Sequence, residues 1–384
     1  MIQMITAYTT EIDETEDALD EILGQIDPGA LKKNNVGIVT CHYDFTQTGF
    51  INKLHQKLSF DIIGMTTMAS ANKHGQSMYA LSLTVLTSDD VIFETATTGQ
   101  LFPSDYREKI KAAYSNTVKK LPGQPSLIFT FFPCHREISG ALMHKALSEI
   151  CDGIPFWGGV STNLKDSFEC TCAFLNENTE ERKISMLLMH GPVDPEFAVV
   201  SIPAQNIGKT RGIITDSDNC ILKKINGIPA TTYLENLGVV IQKDVPIITP
   251  LMVYYEGTIE PVSVGIHIMY SDGSLLCGAI LERNTSVAIG DLSSESILIT
   301  AREGMIRLLN KNNKNGALFL PCVSRYVMLA PKHSAEIDII ASQLKNSKLP
   351  YMMGYSGGEI CPVRDENGVL QNRFHNYTFS ACVL

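Results

Sequence analysis

Three short stretches are apolar at nearly every position: Val36-Gly37-Ile38-Val39-Thr40-Cys41, Leu127-Ile128-Phe129-Thr130-Phe131-Phe132-Pro133-Cys134 and Ala317-Leu318-Phe319-Leu320-Pro321-Cys322. Runs without polar alternation predict strands covered on both faces, as in a parallel sheet. Apolar residues at helical spacing follow each run: Phe50, Ile51, Leu54 and Leu58; then Leu142, Met143, Ala146, Leu147 and Ile150; then Ile337, Ile340, Ala341 and Leu344. A small-residue segment closes each set: Ile63-Gly64-Met65-Thr66-Thr67, Gly158-Gly159-Val160-Ser161-Thr162 and Met353-Gly354-Tyr355-Ser356-Gly357. The order predicts one strand-helix-strand unit used three times. Unequal intervals between the copies exclude a solenoid of fixed period.

Other segments alternate. Tyr79 to Leu86 does so and is followed, after Ser88-Asp89-Asp90, by Val91 to Ala96, which predicts a hairpin. Ile184 to Met189 and Ala198 to Ile202, split by Gly191-Pro192-Val193-Asp194-Pro195, predict a second. An acidic amphipathic helix is expected from about Glu14 to Leu23, its early carboxylates suiting the helix dipole. Residues 205–300 form a different region, where Ile225-Asn226-Gly227-Ile228-Pro229 and Ser271-Asp272-Gly273-Ser274 predict hairpin turns. The fold class is therefore α/β with α+β character: mixed sheets, flanking helices and repeated units in two parts, 1–210 and 211–384.

Composition narrows the function. A charge of -10 and only isolated lysine pairs (Lys32-Lys33, Lys119-Lys120, Lys223-Lys224) disfavour nucleic acid. No apolar run approaches the roughly 20 residues of a membrane helix, and Met1-Ile2-Gln3-Met4-Ile5 lacks the basic region of a signal peptide. Ten cysteines in apolar contexts, without regular spacing, then suggest reduced thiols and a cytoplasmic protein.

Tyr355-Ser356-Gly357-Gly358-Glu359-Ile360 and Phe374-His375-Asn376-Tyr377-Thr378 are the most specific pieces of a longer pattern. It includes Ala7-Tyr8-Thr9-Thr10, Gly37-Ile38-Val39-Thr40 with Tyr43-Asp44, Phe156-Trp157-Gly158-Gly159-Val160-Ser161, Asn226-Gly227-Ile228-Pro229-Ala230 and Gly316-Ala317-Leu318-Phe319. In this order the residues resemble the FIST family, a sensory module with N-terminal and C-terminal parts. The resemblance implies binding of a small ligand, usually an amino acid, and a signal passed to an output domain. It also implies haem as an alternative, since some relatives are haem-dependent nitric oxide sensors. No kinase, cyclase or chemoreceptor segment is fused here, so a separate histidine kinase, cyclase or chemoreceptor is the expected output partner.

The third unit carries the candidate chemistry. Arg325 is placed to grip a ligand carboxylate bidentately, with the Gly357-Gly358 amides beside it. Glu359 is available for an ammonium, and Tyr355, Ser356, His375 and Asn376 for orientation. The plainer alternative is a structural glycine turn with Arg325 and Glu359 paired on the surface.

Gly354-Tyr355-Ser356-Gly357-Gly358 matches the Gly-x-Ser-x-Gly elbow of serine hydrolases. Only Asp365 and His375 follow it, and Pro362 opposes the required helix. Cys41-His42 and Cys134-His135 invite a metal reading, but adjacent strand residues point to opposite faces. Cys322 as a nucleophile would need His333 or His375 as its base. For a haem, His190 and His267 have apolar neighbours, although no spacing selects either.

Overall fold

Each of the three units folds as strand, helix and parallel strand. The structure, a computed structural model, describes residues 1–163, 169–241, 247–309, 314–345, 347 and 349–384. The first unit comprises β1 (Asn34–Cys41), α1 (Phe50–Lys57) and β2 (Ile62–Thr66). The second is β3 (Leu127–Phe132), α2 (Gly140–Ser148) and β4 (Phe156–Val160). The third is β5 (Ala317–Phe319), α3 (Ala335–Leu344) and β6 (Tyr351–Gly354), followed by β7 (Glu359–Arg364), β8 (Leu370–His375) and β9 (Phe379–Val383). Gly37 lies opposite Ile62, Ile128 opposite Phe156 and Ala317 opposite Tyr351, all in parallel register. Every residue of β3 is buried, which is why its sequence never alternates.

Antiparallel neighbours make all three sheets mixed. The first runs Gln3–Thr9, Leu81–Ser88, β1, β2 and Ala173–Leu175; the second runs β8, β7, β4, β3, Ser185–His190 and Ile92–Thr97. The third runs Glu196–Val200, β9, β5, β6, Ser70–Asn72 and Gly75–Ser77. Pairing joins residues from both sides of position 210: β4 with β7, Glu196–Val200 with β9, and Ser70–Asn72 with β6.

Two expected hairpins do not form. Leu81–Ser88 is buried throughout and sits between Gln3–Thr9 and β1, whereas Ile92–Thr97 pairs with Ser185–His190 in the second sheet. The Ser88 hydroxyl accepts the Asp90 and Val91 amides, both at 3.1 Å, and turns the chain from one sheet to the next. Glu196–Val200 likewise leaves Ser185–His190 and pairs with β9. A strand buried on both faces needs a neighbour at each edge, and local alternation does not reveal which strand supplies it.

Residues 212–289 build a separate eight-stranded antiparallel sheet around its own core, including Ile214, Leu222, Tyr233, Leu251 and Val264. Both turns expected there form. Asn226 and Gly227 have φ of 51° and 80° between the paired Ile225 and Ile228, the left-handed conformation that two-residue hairpin loops require. The acidic helix appears at Thr15–Gly24. Among the described residues, no helix is long and apolar enough to cross a membrane.

Candidate functional site

The three closing turns meet at one place. In the first two units the residue after the second strand donates its amide to the end of the first, Thr67 to Cys41 and Ser161 to Phe132, and in the third Ser356, two residues past β6, donates to Pro321, two past β5, all at 2.8–2.9 Å. The turns are then bonded to one another. Thr67 Oγ1 accepts the Tyr355 amide at 2.7 Å, and the Thr67 and Thr162 hydroxyls donate to the Tyr355 carbonyl at 2.8 and 3.1 Å. The Gly357 amide donates to the Val160 carbonyl at 2.8 Å, and the Val160 amide to the Gly358 carbonyl at 3.0 Å.

Arg325 is fully buried beside this junction, on the helix Val323–Met328. Its Nε and Nη2 donate to Glu336 Oε1 at 2.9 and 2.5 Å. Nη1 donates to Thr300 Oγ1 and the Tyr377 carbonyl, and Nη2 to the Ile297 carbonyl. A guanidinium has five N–H donors, and all five are taken. The Tyr355 hydroxyl donates to the other Glu336 oxygen at 3.3 Å. Arg325 therefore holds an internal carboxylate, where a ligand's was expected, and it does not pair with Glu359.

Glu359 is also fully buried. Its carboxyl accepts from Ser356 Oγ at 3.0 Å and from the Thr378 hydroxyl and amide at 2.8 and 3.1 Å. Burial raises its pKa to about 8 despite these bonds, so the group is largely neutral at pH 7 and poorly suited to an ammonium. His375 donates from Nε2 to the Cys361 carbonyl at 3.0 Å, and Asn376 Oδ1 accepts the Gly265 amide at 2.9 Å. The structure thus gathers Arg325, Tyr355, Ser356, Gly357, Gly358, Glu359, His375 and Asn376 around a bonded junction between sheets. Gly358 serves packing: a Cβ there would lie 2.4 Å from Phe374 Cζ.

The nucleophile readings meet the same closure. Ser356 Oγ faces the Glu359 carboxyl and the Leu320 carbonyl, whereas His375 is bonded to Cys361. Burial pushes the Cys322 thiol pKa up, away from a nucleophilic thiolate. His135 accepts the Glu137 and Ile138 amides on Nδ1, a loop-capping role. Among the described residues no cluster of three metal-ligating side chains occurs.

A cleft of about 570 Å³ opens beside β8. Helix α2 begins where Ser139 accepts the Leu142 amide, and its Met143, Ala146 and Leu147 enter the core. That packing turns a second stripe, Ala141, His144, Lys145 and Ser148, towards the cleft. Strand β8 contributes Gln371, Asn372, Arg373 and Phe374 to the lining, and loops that follow strands of the antiparallel sheet contribute Tyr255, Ala279 and Ile280. Gly140 lets the strand close on the helix, since a Cβ there would meet Phe374 Cζ at 2.6 Å.

Three buried polar atoms of this lining have no hydrogen-bond partner: His144 Nε2, Ser148 Oγ and Arg373 Nε. Buried polar groups are almost always satisfied, and each exception costs about 1–3 kcal/mol. His144 is only 9% exposed and stands 5.1 Å from the Phe156 ring. Burial lowers its pKa to about 3, helped by neighbouring His375 and Arg373, so it is neutral at pH 7. The Arg373 guanidinium lies 5.3 Å from the centre of the Tyr255 ring, whose hydroxyl is fixed to the Ile280 carbonyl at 2.6 Å. Sequence reasoning missed His144 and Ser148 because a polar second stripe on a helix usually faces water. Arg373 directly precedes the Phe374-His375-Asn376-Tyr377-Thr378 segment, but nothing in the sequence distinguishes it from a solvated surface arginine.

The same lining tests a haem. His144 offers a buried imidazole nitrogen, but Arg373, Asp152, Glu256 and Glu282 put charge where a macrocycle needs apolar walls. His190 is engaged with the Gln124 carbonyl, and His267 lies on the exposed strand Ile266–Met269. These residues do not fit a haem.

Among solved structures, "T. maritima PurL complexed with ATP" is similar at 9% identity over 100% of this chain and 71% of that one, with a TM-score of 0.21. A likeness that slight carries no argument. No curated protein matches. Family models match a FIST N domain at residues 35–228 and a FIST C domain at residues 228–362. FIST domains are sensory domains of signal transduction that bind small ligands. With these two matches spanning nearly its whole length, the chain belongs to the FIST family.

Proposed function

We propose that this chain is a cytoplasmic sensor, without catalytic activity, for an amino acid or related small carboxylate bound in the cleft between α2, β8 and the antiparallel sheet. The observation that carries this reading is the convergence of His144 Nε2, Ser148 Oγ and Arg373 Nε, all buried and unpartnered, on one opening. An acid group is the ligand chemistry that satisfies a guanidinium, a hydroxyl and an imidazole together. Of the glycine junction's residues, His375 lies on β8, the strand that also carries Arg373.

A ligand bridging α2 and the antiparallel sheet binds best when the two walls are closed on it. Binding therefore shifts the population towards that arrangement, by no more than its differential affinity. The shifted surface would be read by a separate output protein, such as a histidine kinase, cyclase or chemoreceptor.

Thermal-shift and calorimetric titrations with amino acids, small carboxylates and hemin test the reading. A carboxylate is expected to bind, and Arg373→Gln to weaken it at least tenfold, given about 1.5–3 kcal/mol for a charge-assisted hydrogen bond. Equal affinity in wild type and variant would remove the cleft from the proposal. Response to hemin alone, with a Soret band, would favour the haem reading.

A further inference from the structure

The cleft is polarised from floor to mouth. Its floor holds Arg373, Ser148 and the buried His144, all donors or potential donors. Its mouth holds Asp152, Glu256 and Glu282, all exposed. Lys145, half-buried on the helix wall, offsets one of these three charges and leaves the mouth net acidic. Charges at the rim of a cleft with low-dielectric walls act on a ligand more strongly than the same charges on open surface.

Resting on the cleft reading above, we propose that the ligand enters acid group first and carries a cationic far end. Its carboxylate is held by Arg373, His144 and Ser148, and its cation by Asp152, Glu256 and Glu282. The class is a small carboxylate with a cationic far end, and L-lysine and L-glutamate probe it because they share the α-ammonium and differ in the sign of the far charge. A diacid of similar length satisfies the floor equally well but sets its second carboxylate against the acidic mouth. Selectivity then comes from repulsion at the rim, and affinity from the floor.

The test uses L-lysine, L-glutamate and acetate in calorimetric titrations of the full chain at low ionic strength. Wild type is expected to bind L-lysine at least tenfold more tightly than L-glutamate. The double variant Glu256→Lys/Glu282→Lys, altered at two exposed loop positions, should lower that ratio at least tenfold or invert it. Acetate has no far end, so its affinity should change less than the ratio does. L-glutamate binding as well as L-lysine to wild type, or a ratio unmoved by the double variant, overturns the rim assignment while leaving the cleft reading intact. If none of the three probes gives heat, the cleft reading fails and takes this inference with it.

Discussion

The glycine junction and the cleft each hold a guanidinium and an imidazole, yet they differ in one respect. At the junction every Arg325 donor has an internal partner, and Glu359, His375 and Asn376 are bonded to the protein itself. At the cleft Arg373 Nε, His144 Nε2 and Ser148 Oγ have none. The comparison teaches that polar density does not mark a binding site. Unspent hydrogen-bonding capacity beside open space does.

The sharpest way to break this contrast is at Arg325. Arg325→Met leaves Glu336 buried without its cation, so urea denaturation should show a loss of about 3–5 kcal/mol. A variant that keeps wild-type stability and loses only ligand binding would mean the guanidinium serves a ligand after all.

Glu359 gives the next largest effect. Its pKa is raised from 4.5 to about 8 in the folded chain, so the folded state binds more protons between those values. Stability from this group is present at low pH and is lost as pH rises towards 8. Glu359→Gln removes that loss. Denaturation curves at pH 5 and pH 8 should show the variant gaining on wild type by a few kcal/mol as pH rises. An unchanged difference at the two pH values would put the carboxyl in a wetter setting.

His144→Phe should have the smallest effect on the fold. It removes an unpartnered nitrogen between Phe156 and Phe374, for a gain of about 1–3 kcal/mol at most. The folded pKa of His144 is depressed from 6.5 to about 3. Wild type therefore loses stability as pH falls below 6.5, and the variant should lose less. Ligand-induced stabilisation should shrink in the same variant. Thermal melts at pH 5 and 7, with and without the bound carboxylate, would show both effects, and an undiminished ligand shift would exclude His144 from the floor.

The repeated units and the Asn226-Gly227 hairpin were legible in the sequence, because continuous apolar runs, helical spacing and left-handed turn residues are local signals. Leu127 to Phe132 could only be a covered strand, and Met143, Ala146 and Leu147 could only be the core face of α2. Strand partners were not legible: Leu81–Ser88 and Ile92–Thr97 are adjacent in sequence and yet lie in different sheets. The fate of the charged groups was equally hidden. Arg325 meets Glu336 because the helix Val323–Met328 and α3 both pack on the helix Ser294–Leu309, and Arg373 Nε stays unpartnered although Nη1 reaches the Asn372 carbonyl. Sequence determined which apolar residues would be buried and in which local conformation. Tertiary structure alone decided which buried polar atoms found partners, because a hydrogen bond depends on the meeting of elements far apart in the chain.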